Sequence, residues 1–420
     1  MGLDVYPNQI EVITAEQMLD AYSSVGMPLF YKHWSFGKQF AYQEASYRKG
    51  FMGLAYEIVI NSSPCISYLM EENTATMQTL VIAHAAFGHN HFFKNNYLFK
   101  QWTDANGILD YLEFAKRYVA QCEERHGPLA VEQTLDAAHA LMSHGIDRYP
   151  GKKNLDLRAE EKRAGQRRLH EEAVFNDLWR TVPTGRPKSD VALNVERRRK
   201  LLGLPQENIL YFLEKSAPRM HAWQRELLRI VRHIAQYFYP QSQTKVMNEG
   251  TATSVHYRIM NRLLEQGRIS EGNFLEFLQS HTNVVFQPEF DSPYYSGINP
   301  YALGFAMYTD IKRICENPTA EDREWFPDFA GKPWLPTLDH AMRNFKDESF
   351  VGQYLSPKLM RDLRFFAIVD DEKAENLEVS AIHDPSGFRR LREALSRQYD
   401  LSTREPNIQV WNVNLRGDRS

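Results

Sequence analysis

The chain has 420 residues, 43% of them apolar and 25% charged, with a net charge of −3 and a pI near 6.6. These totals describe an ordinary globular chain, long enough for two or three domains. They give no general pull toward nucleic acid or an anionic membrane. No run reaches the roughly 18 apolar residues needed to cross a bilayer. The N-terminus, MGLDVYPNQIEVIT, has neither the basic nor the apolar stretch of a secretion signal. It also lacks the Ser or Thr that a myristoylation site carries. Cys65, Cys122 and Cys315 lie far apart and form no CxxC pair. That pattern excludes a zinc knuckle or a disulfide framework and fits a reducing, cytoplasmic compartment.

Residues 10–30 predict a short strand and then a Thr-capped helix stopped by Gly26 and Pro28. The stretch 53–73 reads as a β-hairpin, with YEIVIN and CISYLM as strands and Asn61-Ser62-Ser63-Pro64 as the turn. Asn73 is expected to cap the next helix, on which Met77, Leu80, Val81, His84 and Phe87 share a stripe. Helical patterning continues from Trp102 to about Tyr149. Residues 150–200 are dense in charge and poor in apolar groups, as in an exposed helix followed by a linker. Acids are mixed among the bases and aromatics are few, so a nucleic-acid arm is not the reading adopted.

Three helices are expected within 206–280, then a loop rich in Pro, Gly and Tyr over 281–304, then a further helix. From about residue 355, DLRFFAIVDD, NLEVSAIH and PNIQVWNVNLRG alternate like strands around the basic amphipathic helix PSGFRRLREALSRQY. The resulting expectation is a mainly helical α+β protein with four parts. Residues 1–149 hold the hairpin and a histidine-bearing helix. Residues 150–205 are a charged helix and linker, and 206–354 a helical core. Residues 355–420 form a small α+β unit that looks cut short.

His84, His89 and His91 fall close together in VIAHAAFGHNHFFKNN, on what is otherwise a buried helix. With about 100° per residue, His84 and His89 lie about 140° apart on an ideal helix. A zincin helix carries HExxH, whereas here the spacing is i,i+5 and Ala85 stands at the glutamate position. A single π-bulge, with Gly88 as the weak point, would bring His89 onto the face of His84. A second helix reads MNEGTATSVH, placing Glu249 and His256 seven apart on one face. NEG is what the second zincin helix often carries. His84, His89, Glu249 and His256 are therefore the expected metal ligands, with zinc first and iron or manganese compatible. The core is expected to be zincin-like, a hairpin plus helices. The bland alternative is a set of ordinary core histidines with Glu249 paired to a buried base.

HWSFGK, GLAYEIVIN, PCISYLMEENT, GHNHFFKNNYLF, MNEG, HTNVVFQP, SGINPYALGFAM and SPKLMRDLRFF together resemble the stage V sporulation protein R (SpoVR) family, from about residue 3 to 420. The resemblance implies a cytoplasmic bacterial protein tied to spore cortex formation or to stress response. It also implies partners, a PrkA-type serine kinase and a third protein encoded beside it. The family pattern stresses the histidine after glycine, which favours His89 over His91. It usually reads MNEGWA with an aromatic directly before the later histidine, whereas this chain has Thr251 and Val255 there. Family chains also extend beyond both ends of this one.

Two functions compete on these residues. The first is a metal-dependent hydrolase of a peptide or amide bond. In it Glu72, at the end of the hairpin, is the candidate base and His281 the candidate acid or oxyanion donor. Lys94, Asn95 and Asn96 would then bind polar groups of the substrate. The second is a non-catalytic regulator or scaffold acting with the kinase. GxSxG, Walker A and GxGxxG motifs are all missing from the sequence.

Overall fold

The computed structural model describes residues 2–23, 31, 33–34, 41, 57–146, 207–217, 219–289, 292–364, 385–401 and 408–410. The charged linker and all three expected C-terminal strands lie almost wholly outside the described residues. The chain divides into two compact units: Met1–Arg125 with Tyr237–Pro406, and His126–Gln236 with Asn407–Ser420. As expected, the described residues are mainly helical with one small sheet.

The first unit opens with β1 (Asn8–Ile13) and α1 (Ala15–Ser23). The hairpin follows as β2 (Glu57–Ile60) and β3 (Cys65–Met70). The sheet order is β1-β3-β2, with β1 parallel and β2 antiparallel to β3. Every residue of β3 is buried, as its central place requires. The register pairs Glu57 with Leu69 and Asn8 with Cys65. Met18, Ile58, Ile66 and Tyr68 pack beneath it with Leu112 and Tyr237.

One continuous helical rod then runs as α2 (Ala75–Ile82), a π-helical segment (Ala83–His89) and α3 (Asn90–Asn95). Thr74, one residue later than expected, is the N-cap; its hydroxyl accepts from the Met77 amide at 3.2 Å. The π geometry appears in the Asn90 amide, which donates to the Ala85 carbonyl five residues back. Next come α4 (Tyr97–Trp102), α5 (Ile108–His126), α6 (Pro128–Ala140), α7 (Ile209–Ser216) and α8 (Ala222–Gln243). They are followed by α9 (Lys245–Glu265), α10 (Glu271–Val284) and α11 (Pro300–Glu316). The described helices end with α12 (Ala320–Trp325), α13 (Trp334–Asn344), α14 (Asp347–Tyr354), α15 (Pro357–Asp362) and the basic α16 (Pro385–Arg397).

α9 is the hub of the first unit. A Cβ on Gly88 would stand 2.5 Å from Ala252 Cα, so the π segment and α9 touch backbone to backbone. On the other side, Gly250 meets Gly304 of α11, where a Cβ would fall 2.6 Å from its carbonyl carbon. The start of α9 is held by buried Asp347, whose two oxygens accept from Val246 N (2.8 Å) and Met247 N (2.9 Å). The large core around Phe92, Phe99, Met307, Phe350 and Met360 supports this arrangement from α3, α4, α11, α14 and α15.

The second unit contains α6, α7 and most of α8. Its polar centre is Glu214, whose buried carboxylate meets Lys215 (2.7 Å), Arg229 (3.2 Å) and Arg232 (3.0 Å). Burial pushes this carboxyl up, but the three cations together hold it below its ordinary value. Asn208 caps α7 and donates to the Gly145 carbonyl at 2.9 Å.

No helix among the described residues is long and apolar enough to cross a membrane.

Candidate metal centre

Four side chains from three elements converge within the first unit. The wide π turn stacks residues five apart, so His84 and His89 project to one side, their rings edge to face at 4.6 Å. β2 brings Glu57 and α9 brings Glu249 to meet them. His84 Nε2 lies 3.3 Å from Glu57 Oε1 and 3.6 Å from Glu249 Oε2. His89 Nε2 lies 3.7 Å and 3.6 Å from the same two atoms. Among the described residues, Glu57, His84 and His89 form a group whose ligand atoms all lie within 4.8 Å of one another. That group could hold a metal ion.

The imidazoles are buried, and the side chains of Glu57 and Glu249 are 17% and 14% exposed, with Oε2 of each shut off from solvent.

Hydrogen bonding decides which nitrogen of His89 faces the carboxylates. His89 Nδ1 is 2.9 Å from Asn248 Oδ1. An amide oxygen can only accept, so the proton of His89 sits on Nδ1. Burial pushes this imidazole down to about 4, so it is neutral at pH 7. Its Nε2 is then a bare lone pair aimed at two carboxylate oxygens. Such a lone pair facing carboxylates is satisfied either by a proton held on Glu57 or by a cation bound between the groups, and a cation can serve all of them at once. The spacing also fits: donors of a tetrahedral zinc site with bonds of ~2.0–2.1 Å stand roughly 3.3–3.4 Å apart.

The carboxylates divide in character. Burial, with the Glu249 charge adding to it, pushes Glu57 up to about 7 despite His84 beside it. Burial also acts to raise Glu249, but His89, His84 and a hydrogen bond from Tyr301 hold it below its ordinary value. For His84, burial alone would lower the pKa; Glu57 and Glu249 outweigh it and raise it. Tyr301 also stacks on the His84 ring at 6.1 Å. It is placed there by Asn299, which caps α11 and whose amide donates to the Val284 and Phe286 carbonyls. The motifs HTNVVFQP and SGINPYALG thus act as one staple.

His256 stands behind His84 rather than beside it. Its Nδ1 is 2.9 Å from His84 Nδ1, on the ring edge away from the carboxylates, and its Nε2 is 3.0 Å from His281 Nδ1. His256 is not among the residues whose ligand atoms cluster within 4.8 Å of one another, Glu57, His84 and His89. Glu57 stands where the sequence reading put His256. Glu72 is exposed on the turn before α2.

Lys94 holds the N-terminal segment through Asp4 (2.5 Å) and the Val5 carbonyl (2.9 Å). Asn95 binds the Asp4 and His91 carbonyls and accepts from Arg343. Asn96 caps α4 and donates to the Met342 and Phe345 carbonyls. His91 faces Asp4, away from the cluster. Thr251 donates to the Met247 carbonyl and accepts from the Tyr308 hydroxyl, both at 2.8 Å.

Glu57, Asn248 and Tyr301 are not singled out by the sequence, although GLAYEIVIN, MNEG and SGINPYALGFAM contain them. Asn248 adjoins Glu249 in the MNEG motif, which was the available signal for it. A cavity of about 530 Å³ lies elsewhere in the unit, lined by Trp325, Phe329, Lys332, His340, Tyr354 and Arg392 among others, and none of the cluster residues borders it.

Fold and site define a mainly helical protein with a buried histidine–carboxylate cluster able to hold a metal ion. The sequence matches the family described as SpoVR like protein over residues 1–404, and the chain belongs to that family. The protein YcgB of Escherichia coli (strain K12) is 61% identical over 418 residues, covering 100% of this chain and 81% of that protein. No solved structure matches.

Proposed function

We propose that the chain is a metal-dependent hydrolase acting on a peptide or amide bond, with Glu57, His84 and His89 as the protein ligands. The observation that carries this reading is the bare Nε2 of His89 aimed at two carboxylates. Three protein ligands leave a coordination position open, which catalytic sites need and structural sites lack. Zinc is the proposed ion, on the donor spacing; two histidines and carboxylate also suit iron or manganese. A divalent ion held there supplies Lewis acidity to a carbonyl and to water.

Glu249 is the carboxylate left to take a proton, at Oε2, in the role that Ala85 denies to the histidine helix. Tyr301 orients it. Among the described residues β2 is an edge of the sheet, and Glu57 lies on it. An extended peptide pairing with that edge would pass the cluster. This supports a zincin-like arrangement in which the strand supplies the carboxylate ligand and α9 the base.

The test is metal content and peptidase activity of Glu249→Gln beside Glu57→Gln. The reading expects Glu249→Gln to keep its ion and to lose hydrolysis at least about 100-fold, the scale of a missing general base. Equal loss of metal from both variants would mark a closed four-donor site. That outcome favours the second reading, a non-catalytic regulator acting with a PrkA-type kinase and its partner protein, for which the Ala85 position already speaks.

A further inference from the structure

The two histidines of the centre are anchored differently from behind. His89 leans on Asn248 Oδ1, which can only accept. His84 leans on His256, whose Nδ1 can accept or donate, and His256 in turn meets His281 through its other nitrogen. All three rings are buried, with Tyr257, Phe277 and Phe305 packed around His281. A neutral imidazole carries one proton, so the two contacts are not independent. If His84 offers Nε2 to an ion, its proton is on Nδ1 and points at His256 Nδ1. That nitrogen must then be bare, so the His256 proton is on Nε2 and points at His281 Nδ1. His281 is left protonated on Nε2. One choice at the centre dictates every tautomer along the chain.

We propose that His256 and His281 are positioning residues for the metal centre: a directional hydrogen-bond chain that holds His84 with its Nε2 lone pair toward the ion. The inference rests on the metal reading of Glu57, His84 and His89. It assigns to His256 a role that a ligand would not have, because its effect passes through a hydrogen-bond acceptor. Metal-binding histidines anchored through their second nitrogen typically lose about 10–100-fold in affinity when the anchor is removed.

The experiment measures zinc affinity by chelator competition for wild type, His256→Leu, His256→Asn, His281→Leu and His281→Asn. It adds nitrogen NMR of the zinc-loaded, histidine-labelled wild type. Asn places an acceptor oxygen near where Nδ1 was, so it separates the hydrogen bond from the ring. His256→Leu should weaken binding about 10-fold or more, while His256→Asn and His281→Asn stay within about 3-fold of wild type as conservative rescues. His281→Leu, remote from the ligands and the least disruptive to them, should fall between. The spectrum should show His256 protonated at Nε2 and bare at Nδ1. A folded His256→Leu or His281→Leu that binds zinc as wild type does, or the opposite His256 tautomer, overturns the chain while leaving the metal centre standing. Wild type that binds no zinc removes both.

Discussion

Glu57 carries a large electrostatic burden in the site. Buried beside Glu249, it keeps its proton up to about pH 7 in the metal-free protein, against 4.5 for the free side chain. The folded state therefore binds more protons than the unfolded one between these values, and stability falls as pH rises through that window. Metal-free Glu57→Gln should accordingly be more stable than wild type at pH 8, by on the order of 2 kcal/mol after allowing for partial exposure. The difference should vanish below about pH 4.5, where both side chains are neutral. Urea denaturation at the two pH values checks it; equal stabilities at pH 8 would contradict the placement of Glu57.

His89 has the opposite slope. Its pKa falls to about 4 on burial, from 6.5, so the unfolded chain takes up the extra proton. Its contribution is present above pH 6.5 and is lost as pH falls toward 4. Metal uptake must displace the Glu57 proton, so zinc affinity should drop about 10-fold per unit as pH falls below 7. Calorimetry in buffers of different ionisation heat should register the released proton.

At the scale of elements, the site depends on backbone contacts as much as on its ligands. Gly88 and Gly304 are the points where α9 meets the π segment and α11 with no room for a methyl group. Gly304→Ala would place its Cβ 2.3 Å from the Val246 carbonyl oxygen and must push α11 away from α9. A loss of about 1–3 kcal/mol is expected from such overpacking, together with weaker zinc binding, because Tyr301 rides on α11. Asp347→Ala should act similarly by freeing the two amides at the start of α9, lowering stability by about 1–3 kcal/mol in thermal or urea melts.

The hairpin was legible because alternation and the Asn61–Pro64 turn are local signals, and α9 and α10 because their apolar spacing is. The π segment was legible from the i,i+5 spacing and Gly88. Glu57 was not. An acid opening an apolar strand reads as a solvated end, and only contacts from distant elements put it opposite His84. His256 was expected beside Glu249 from the spacing, and it meets the cluster through the Nδ1 edge of His84.

At the scale of the whole molecule, the cluster belongs entirely to the first unit, while the second is organised around Glu214. Removing Glu214 leaves three cations without the carboxylate they surround. Glu214→Ala should cost about 1–3 kcal/mol of stability, since Lys215 and Arg229 stay largely exposed, read as faster amide exchange across α7 and α8. Zinc stoichiometry should stay unchanged wherever the protein remains folded. Coupled loss of metal would show that the centre depends on the second unit.

The most direct test is the metal content of purified protein by mass spectrometry, wild type beside Glu57→Ala, His84→Ala and Glu72→Ala. The expected result is near-stoichiometric metal in wild type and Glu72→Ala, with loss in Glu57→Ala and His84→Ala. Folded wild type that carries no metal and cannot be reconstituted with zinc, iron or manganese would contradict the account.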